Sequence, residues 1–338
     1  MLKWLMRVIR GASLSRVKDC VNQVKEKSGR KLRNLILLDM IGCFIKYGAG
    51  FHDYLIFEFY NMKGSERKTY MTRIKNKKLH LLMNDPAQTH FFDNKNEFYA
   101  AYKDFIKRDF LDLALVDDDK IKEFIKGKEY IIGKPNDGEC GHGVEKIKLS
   151  DFADPDAAVN YIRTSESNFG VIEDVVTQHP ALSELYPYSV NCLRMVTVYW
   201  KKKSYVLYAV LKTGNNKKFV DNLENGGYAC HVDLKTGVVT GPGHTSDLDL
   251  CEAHPMTGMR FEGFQVPLFE EAKQLVSEAA KVNPRVRYIG WDVAITPDGP
   301  LIIEGNNYAA YDFPQLPDRS QKKSGLLKQL QDIGIPLK

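Results

Sequence analysis

The spacing of hydrophobic and polar positions changes near residue 130. Before it, apolar residues recur at helical spacing, as at Phe98, Tyr102 and Ile106. After it, short β-rich runs follow one another, among them "YIIGKP", "GVIEDVV", "NCLRMVTVYW" and "RYIGWDVAIT", and one helix is predicted over residues 267–282. Helices come first and hairpins afterwards, without regular strand–helix alternation, so the pattern predicts an α+β fold.

The run "RYIGWDVAITPDGPLIIEGNN" predicts a hairpin, because "PDG" is a turn signature between two β-rich stretches. In the first stretch, large apolar residues alternate with Gly290, Asp292 and Ala294. That second face is small and polar, as the wall of a cavity should be. In the second stretch, alternation predicts one shared face for Ile302, Glu304 and Asn306.

This hairpin predicts a carboxylate pair. If it is symmetric about Asp298, Asp292 lies opposite Glu304, with Cβ atoms about 4.5–5.5 Å apart. Two like charges there repel unless a cation lies between them, and Asn306 adds a neutral oxygen. Such oxygen ligands suit Mg²⁺. The alternative is a solvated strand face with incidental charges, and a bulge at Gly299 would shift the register.

A glycine-rich stretch follows Lys134 in "GKPNDGECGHGV". It indicates either a phosphate cradle or a surface turn. No G-x-x-x-x-G-K-[ST] motif occurs, which excludes a P-loop NTPase. Neither "HRD" with a downstream Asn nor "DFG" occurs, which disfavours a protein kinase.

The net charge of +5 is unevenly distributed. Residues 1–33 carry +8 and the rest of the chain −3, so nucleic-acid binding by the main body gets no support. The segment "MLKWLMRVIR" is either an interfacial helix on an anionic membrane or a surface helix packed on its own domain. We predict "LRNLILLDMIGCFI" to be a buried helix, since Asp39 interrupts it and it is too short for a membrane span. The six scattered cysteines predict neither a zinc site nor a disulfide framework and fit a reducing cytoplasm.

Three features, taken in order, resemble the ATP-grasp superfamily: Lys134 with its glycine loop, Glu173 in "VIEDVV", and "WDVAITPDGPLIIEGN". "YGAGFHDYLIFEFY" and "HPALSELYPYSVNCLRMVTV" are similar to the sugar-transfer-associated ATP-grasp group. The resemblance implies a nucleotide between two α+β subdomains. It further implies three regions: a helical N-terminal region (1–85), subdomain A with the phosphate lysines and glycine lid (86–172), and subdomain B with the adenine linker, substrate loop and metal hairpin (173–338).

The resemblance also implies the nucleotide-binding residues. Lys95 and Lys134 would be the two phosphate lysines, with Lys103 and Lys107 as alternatives to Lys95. The glycine loop would be a mobile lid, poorly ordered without nucleotide. The further nucleotide contacts implied are Gly138, Gly141, Gly143, Glu173, Asp174 and Val176. Beside the resemblance, Lys212 on the strand before a second Gly/Asn-rich loop is a candidate to face the phosphates, and His142 is either a phosphate contact or a surface loop histidine. The ribose contact stays open among Gln178, His179 and Glu184, and the family's metal ligands correspond to Asp292, Glu304 and Asn306.

Two features bear on the substrate. Arg194 interrupts an apolar strand and therefore needs an anionic partner. That partner is either an acyl phosphate or substrate carboxylate, or a structural Asp or Glu. In the first case Arg194 would be a catalytic residue. A second Gly/Asn-rich loop either shapes a substrate pocket or is an exposed hairpin connection. Its candidate residues are Asn222, Asn225, Gly226 and Gly227.

The reaction implied by the resemblance is ATP-dependent joining of a small-molecule carboxylate to an amine through an acylphosphate, with release of ADP and phosphate. The cofactors implied are ATP and Mg²⁺, as two ions, with Mn²⁺ as an alternative metal. Polysaccharide or natural-product biosynthesis is suggested only by the group's name. The alternatives are an ATP-grasp kinase acting on a hydroxyl and a non-catalytic nucleotide-binding scaffold. We expect a cytoplasmic protein, with membrane association through the basic N-terminus and a homodimer left open.

Overall fold

The computed structural model describes residues 14–29, 32–136, 142–219, 221, 223–317 and 324–337. Four short 3₁₀ helices (Phe59–Asn61, Leu149–Asp151, Leu223–Asn225 and Phe313–Gln315) accompany the α-helices and strands. The helices are α1 (Leu14–Ser28), α2 (Arg33–Tyr47), α3 (Phe51–Ile56), α4 (Gly64–Arg67), α5 (Arg73–Met83), α6 (His90–Asp93), α7 (Lys95–Ala101), α8 (Lys103–Ile106), α9 (Asp118–Ile125), α10 (Pro155–Thr164), α11 (Pro180–Leu185), α12 (Phe269–Ala279) and α13 (Leu326–Asp332). The strands are β1 (Phe110–Asp112), β2 (Tyr130–Pro135), β3 (Glu145–Lys148), β4 (Phe169–Asp174), β5 (Leu193–Trp200), β6 (Lys203–Thr213), β7 (Tyr228–Val232), β8 (Gly243–His244), β9 (Leu250–Cys251), β10 (Tyr288–Thr296) and β11 (Gly299–Asn306).

Helices precede most of the strands, and within the described residues all paired strands are antiparallel. This confirms the predicted α+β class. The chain divides into two compact units, residues 1–82 with 310–338 and residues 83–309. The sequence placed 310–338 in its second subdomain. They join the first unit instead through long-range hydrogen bonds that no sequence pattern announces, such as Tyr311 to Asp53 at 2.7 Å.

In the first unit, α2 buries one stripe of its surface, formed by Ile36, Met40, Cys43 and Tyr47. A single stripe is what an amphipathic helix offers a core. The predicted helix is therefore confirmed, and its burial is restricted to one face. The exposed residues of the segment include Leu32, Leu35, Leu38 and Ile45, which are 54–63% exposed.

Asp39, which interrupts this apolar segment, has a local structural partner. Its carboxylate accepts from both terminal nitrogens of Arg67, at 2.8 and 2.9 Å, and from the Tyr54 hydroxyl at 2.7 Å. Among the helices of the described residues, none is long and apolar enough to cross a membrane. The predicted helix over residues 1–10, whether membrane-interfacial or packed on the surface of its own domain, lies outside the described residues.

The second unit contains two sheets. The smaller has the order β1-β4-β2-β3 and the larger has the order β11-β10-β5-β6-β7-β8-β9. The predicted helix over residues 267–282 is observed as α12, which begins and ends inside that range. The predicted subdomain boundary at 172/173 falls inside β4, so Glu173 belongs to the smaller sheet.

Each sheet has its own apolar core. Ile131, Ile172 and Ile121 pack in the core of the smaller sheet and its helices. Trp291, Ile289 and other apolar residues of β10 belong to the larger core. Because side chains alternate along a strand, the residues next to these buried ones point to the opposite face of each sheet. Those opposite faces carry the candidate site.

Candidate active site

A cavity of about 910 Å³ is lined by residues from both sheets of the second unit. Lys134 and Glu173 come from the smaller sheet, and Arg194, Asp292 and Glu304 come from the larger one. Cavities that bind small molecules commonly measure about 300–1,000 Å³. The volume is therefore large enough for a nucleotide-sized ligand.

Four interacting side chains are here called the Glu173 cluster: Lys134 and Glu173 on the smaller sheet, Tyr99 on α7, and Arg108 in the connection before β1. Lys134 Nζ lies 2.7 Å from Glu173 Oε1, and Arg108 Nη2 lies 2.8 Å from Oε2. The Tyr99 hydroxyl donates to Oε2 and accepts from Lys134 and Arg108, at 3.1 and 3.0 Å. The side chains of Glu173 and Arg108 are each only 4% exposed.

The electrostatics of this cluster favour an anion. Burial alone would raise the pKa of Glu173, but the charges of Arg108 and Lys134 outweigh it and hold the pKa at about 2. Two cations and one carboxylate leave the cluster with a net charge of +1. An uncompensated positive charge is costly in a buried place, and an anionic ligand would relieve that cost.

The Asp292 cluster comprises Arg194, Lys212, Asp292 and Glu304 on the larger sheet and Asp221 in the connection between β6 and β7. Asp292 lies directly between Arg194 on β5 and Glu304 on β11 in the strand register. Arg194 binds both oxygens of Asp292, through Nε to Oδ1 and through Nη2 to Oδ2 at 2.9 Å. Lys212 Nζ lies 3.1 Å from Asp292 Oδ2 and 3.5 Å from Asp221 Oδ1.

The predicted pairing of Asp292 with Glu304 is confirmed, but it arises differently from the prediction. The hairpin turns through two residues, since Thr296 pairs with Gly299, so no bulge occurs at Gly299. The register shifts instead between Asp292 and Val293, where Ile303 is the extra residue on β11. This bulge restores the pairing that a hairpin symmetric about Asp298 would have had.

The bulge also corrects the predicted facing of β11. Ile302 packs in the core with Trp291, whereas Ile303 and Glu304 both line the cavity. A bulge places two residues opposite one partner and so interrupts strict alternation. Ile302 therefore does not share a face with Glu304, as the alternation had predicted.

The pKa values of the two opposed carboxyl groups move apart. Burial opposes ionisation of Asp292, yet Arg194 and Lys212 together hold its pKa well below the usual range. Burial and the neighbouring Asp292 raise the pKa of Glu304. With all groups ionised, three carboxylates and two cations leave the Asp292 cluster with a net charge of −1.

The chemistry of this donor set fits a divalent cation. Asp292, Glu304 and Asn306 all line the cavity and offer oxygen ligands of the kind that Mg²⁺ takes. A cation between the two carboxylates would offset the charge of Asp292, which contributes to the raised pKa of Glu304. Within the described part of the chain, no group of three or more His, Cys, Asp or Glu side chains forms a metal site, so the set needs the amide of Asn306.

The other predicted nucleotide contacts divide into two groups. Lys95 and Val176 line the cavity, and Lys95 Nζ lies 3.5 Å from the Asn136 carbonyl oxygen. Asp174 forms an ion pair with Lys128 instead and, among the described residues, is not part of the cavity lining. Also outside the cavity lining are His142 and Gly143, and Asn225, Gly226 and Gly227 of the proposed substrate loop.

Three predicted site residues, Gly138, Gly141 and Asn222, lie outside the described residues, as does most of the predicted glycine lid. Arg194 does have an anionic partner, as the sequence required, and that partner is Asp292. Of the ribose candidates, Gln178 lines the cavity, but its amide already bonds to Tyr186, Ser189 and Asn191.

Sequence reasoning missed three residues of the two clusters: Tyr99, Arg108 and Asp221. Tyr99 and Arg108 lie in the helical stretch before β1, where aromatic and basic residues are common and no motif marks them. Asp221 accepts from the Cys192 backbone N–H at 3.1 Å and pairs with Lys212. Its position next to the Gly/Asn-rich loop was the available signal.

Several solved structures are similar to this chain at low identity. The ATP-grasp ligase PsnB in complex with a minimal precursor is 15% identical, with a TM-score of 0.42, over 74% of this chain and 62% of its own. The D-cycloserine synthetase DcsG is 11% identical, with a TM-score of 0.45, over 74% and 73%. The D-alanine–D-alanine ligase of Helicobacter pylori is 14% identical, with a TM-score of 0.42, over 77% and 70%.

At these identities and scores, nothing about substrate or activity follows from the similar structures, and this chain spans only about three fifths of PsnB. No curated protein matches the chain. The model of one protein family, described as sugar-transfer associated ATP-grasp, matches residues 74–334. That match covers well over half of the sequence, and the chain therefore belongs to the sugar-transfer-associated ATP-grasp family.

Proposed function

We propose that this protein is an ATP-dependent carboxylate–amine ligase that works with Mg²⁺. One observation carries the proposal: the two charged clusters at the cavity have opposite net charges, +1 around Glu173 and, with all groups ionised, −1 around Asp292. A metal–nucleotide complex presents both phosphate anions and a cation, so it complements both clusters. A free anion or a free cation would satisfy only one.

Lys134 and Lys95 would position the phosphates, and the backbone near Val176 would meet the adenine. The adenine contact predicted for Glu173 is not part of the proposal, because its carboxylate oxygens already bind Lys134, Arg108 and Tyr99. Asp292, Glu304 and Asn306 would hold Mg²⁺, which supplies charge neutralisation for the phosphoryl oxygens when bound. The family resemblance implies two ions, and Mn²⁺ takes similar oxygen ligands. Lys212 and Arg194 would keep Asp292 ionised and oriented, because they bind its oxygens from the side of β5 and β6.

In the proposed reaction, a substrate carboxylate oxygen attacks the γ-phosphorus of ATP and the bond to ADP breaks. An amine nitrogen then attacks the acyl carbon, phosphate leaves, and the amine gives up its proton to solvent. Arg194 lines the cavity and remains our candidate for the acceptor carboxylate. The glycine lid would keep water away from the acylphosphate, which hydrolyses readily.

An ADP-release screen with pooled carboxylic acids and amines, followed by mass spectrometry of the product, tests the proposal. We expect a condensed product, and at least about a 100-fold lower rate for Asp292→Asn and Glu304→Gln, since each weakens charge stabilisation of the transferred group. Glu123→Gln is the matched control, because that carboxylate forms an exposed pair with Lys120. It should leave the rate unchanged.

A stable phosphorylated product would point to a kinase instead. Unchanged ATP turnover in both cavity variants would contradict a catalytic role and favour a nucleotide-binding scaffold. Peripheral membrane contact, a homodimer and a cytoplasmic location remain predictions from the sequence.

A further inference from the structure

Arg108 connects the two halves of the candidate site. On one side its guanidinium lies 2.8 Å from Glu173 Oε2 on the smaller sheet. On the other side Nη1 donates to the Ile302 carbonyl oxygen at 2.9 Å, and Nη2 lies 3.4 Å from the Ile303 carbonyl oxygen. Both of these carbonyls belong to the bulge of β11 on the larger sheet.

The neighbouring Lys107 anchors the same hairpin. Its backbone is left-handed, with φ +50°, and its Nζ donates to the Pro300 carbonyl oxygen at 3.0 Å. A left-handed conformation is uncommon for a lysine and costs about 1 kcal/mol or more, so the surrounding contacts must maintain it. Two consecutive basic side chains thus hold β11 from the end of α8.

Arg108 does not reach the ligand space. Its side chain is only 4% exposed, and among the described residues it is not part of the cavity lining. Any effect of Arg108 on a ligand must therefore pass through Glu173 or through the bulge. This distinguishes it from Lys134, which lines the cavity itself.

The charge of Arg108 decides the sign of the Glu173 cluster. Without it, Glu173 and Lys134 would neutralise each other, and the cluster would carry no net positive charge. With it, the carboxylate is shared between two cations, and one positive charge remains for an anion. A guanidinium suits this role because it can serve a carboxylate and backbone carbonyls at the same time.

We propose that Arg108 is a positioning residue for the phosphates and the metal hairpin: it frees the charge of Lys134 for an anion and fixes the bulge that carries Glu304. This inference rests on the proposed nucleotide site and adds to it. It predicts that Arg108 matters for the charged part of the nucleotide and not for the nucleoside.

Calorimetric titration of the full chain with AMP-PNP and Mg²⁺, and separately with adenosine, tests the inference. For Arg108→Met we expect AMP-PNP binding to weaken about 10- to 100-fold, the usual effect of losing a hydrogen-bonded charge. Adenosine affinity should stay within about twofold. Arg108→Lys restores the charge without the fork, so AMP-PNP affinity should recover in part while the half-saturating Mg²⁺ concentration stays raised.

Arg163→Met is the matched control. Arg163 also binds one carboxylate, Asp118 at 3.0 Å, and two backbone carbonyls, Leu113 and Val116 at 2.6 Å each. Neither it nor these partners line the cavity in the described part of the chain. This variant should lower thermal stability without changing the ratio of AMP-PNP to adenosine affinity.

Arg108 would have only a structural role if Arg108→Met lost AMP-PNP and adenosine affinity equally. The same conclusion would follow if Arg108→Met and Arg163→Met lost AMP-PNP affinity equally. So would wild-type AMP-PNP affinity in Arg108→Met. If Arg108→Met does not fold, the ratio of AMP-PNP affinity to adenosine affinity in Arg108→Lys distinguishes the same outcomes. Failure of the wild-type protein to bind AMP-PNP would overturn the proposed function itself.

Discussion

Asp292 and Glu304 carry the same functional group and lie opposite each other, yet their pKa values shift in opposite directions. Asp292 has Arg194 and Lys212 as direct partners, whereas Glu304 faces the charge of Asp292. At this scale, the neighbouring charges decide the protonation of a carboxyl group more than its intrinsic pKa does. The same rule explains why buried Glu173 stays ionised between two cations.

Glu173→Gln should destabilise the protein by about 3–5 kcal/mol at neutral pH, because it leaves Arg108 and Lys134 buried without a counter-charge. The pKa of Glu173, about 2, lies below its value in an unfolded chain. Its ion pairs therefore contribute full stability above about pH 4.3 and lose it as the pH falls towards 2. Urea unfolding at several pH values measures the difference between variant and wild type.

That difference should shrink as the pH is lowered, and a constant difference would contradict the linkage. Asp118→Asn provides a control at an exposed pair with Arg163, where we expect a loss of less than about 1 kcal/mol.

At the scale of elements, the β10–β11 hairpin was the best-predicted part of the molecule. Its turn residues and alternating pattern were visible in the sequence, and so was the pairing of Asp292 with Glu304. The bulge at Ile303 was not visible, because its stabilising contacts come from Arg108 and Lys107, which lie almost 200 residues earlier. Bulges depend on such distant partners, and local propensity carries little information about them.

The same strand approaches its neighbours closely at Gly305. A Cβ there would lie 2.9 Å from atoms of the Phe92 and Phe98 rings, which belong to the packed aromatic groups around Trp291. We expect Gly305→Ala to cost about 1–3 kcal/mol of unfolding free energy, since the rings must shift. It should also lower activity, because Gly305 lies between Glu304 and Asn306.

Gly241→Ala is the control for this prediction, since a Cβ at that position meets no atom within 4 Å. Urea unfolding of both variants compares them directly. Equal stability of the two would show that β11 adjusts to the added methyl group.

At the scale of the whole molecule, the cavity of the second unit joins two clusters whose net charges are opposite. We therefore expect AMP-PNP and Mg²⁺ together to raise the unfolding free energy by about 2.7 kcal/mol at a hundredfold excess over Kd, and either ligand alone to raise it much less.

The raised pKa of Glu304 means that the unliganded protein loses stability as the pH rises through that pKa. Thermal unfolding with and without ligands measures both effects.

Stabilisation by Mg²⁺ with AMP-PNP should accordingly be larger at pH 8 than at pH 5, and Glu304→Gln should remove most of that difference. The same shift at both pH values in the wild-type protein would argue against Glu304 as a metal ligand.

The amino-acid sequence by itself determined the α+β class, the hairpin with its carboxylate pair, and the need of Arg194 for an anion, because these follow from local periodicity and from the cost of burying a charge. Tertiary structure alone decided that this anion is Asp292, that Ile302 faces the core, and that Arg108 links Glu173 to β11. It also grouped residues 310–338 with the first unit. The physical reason is common to all four: each depends on contacts between segments far apart in the chain, where pairing energies outweigh local preference.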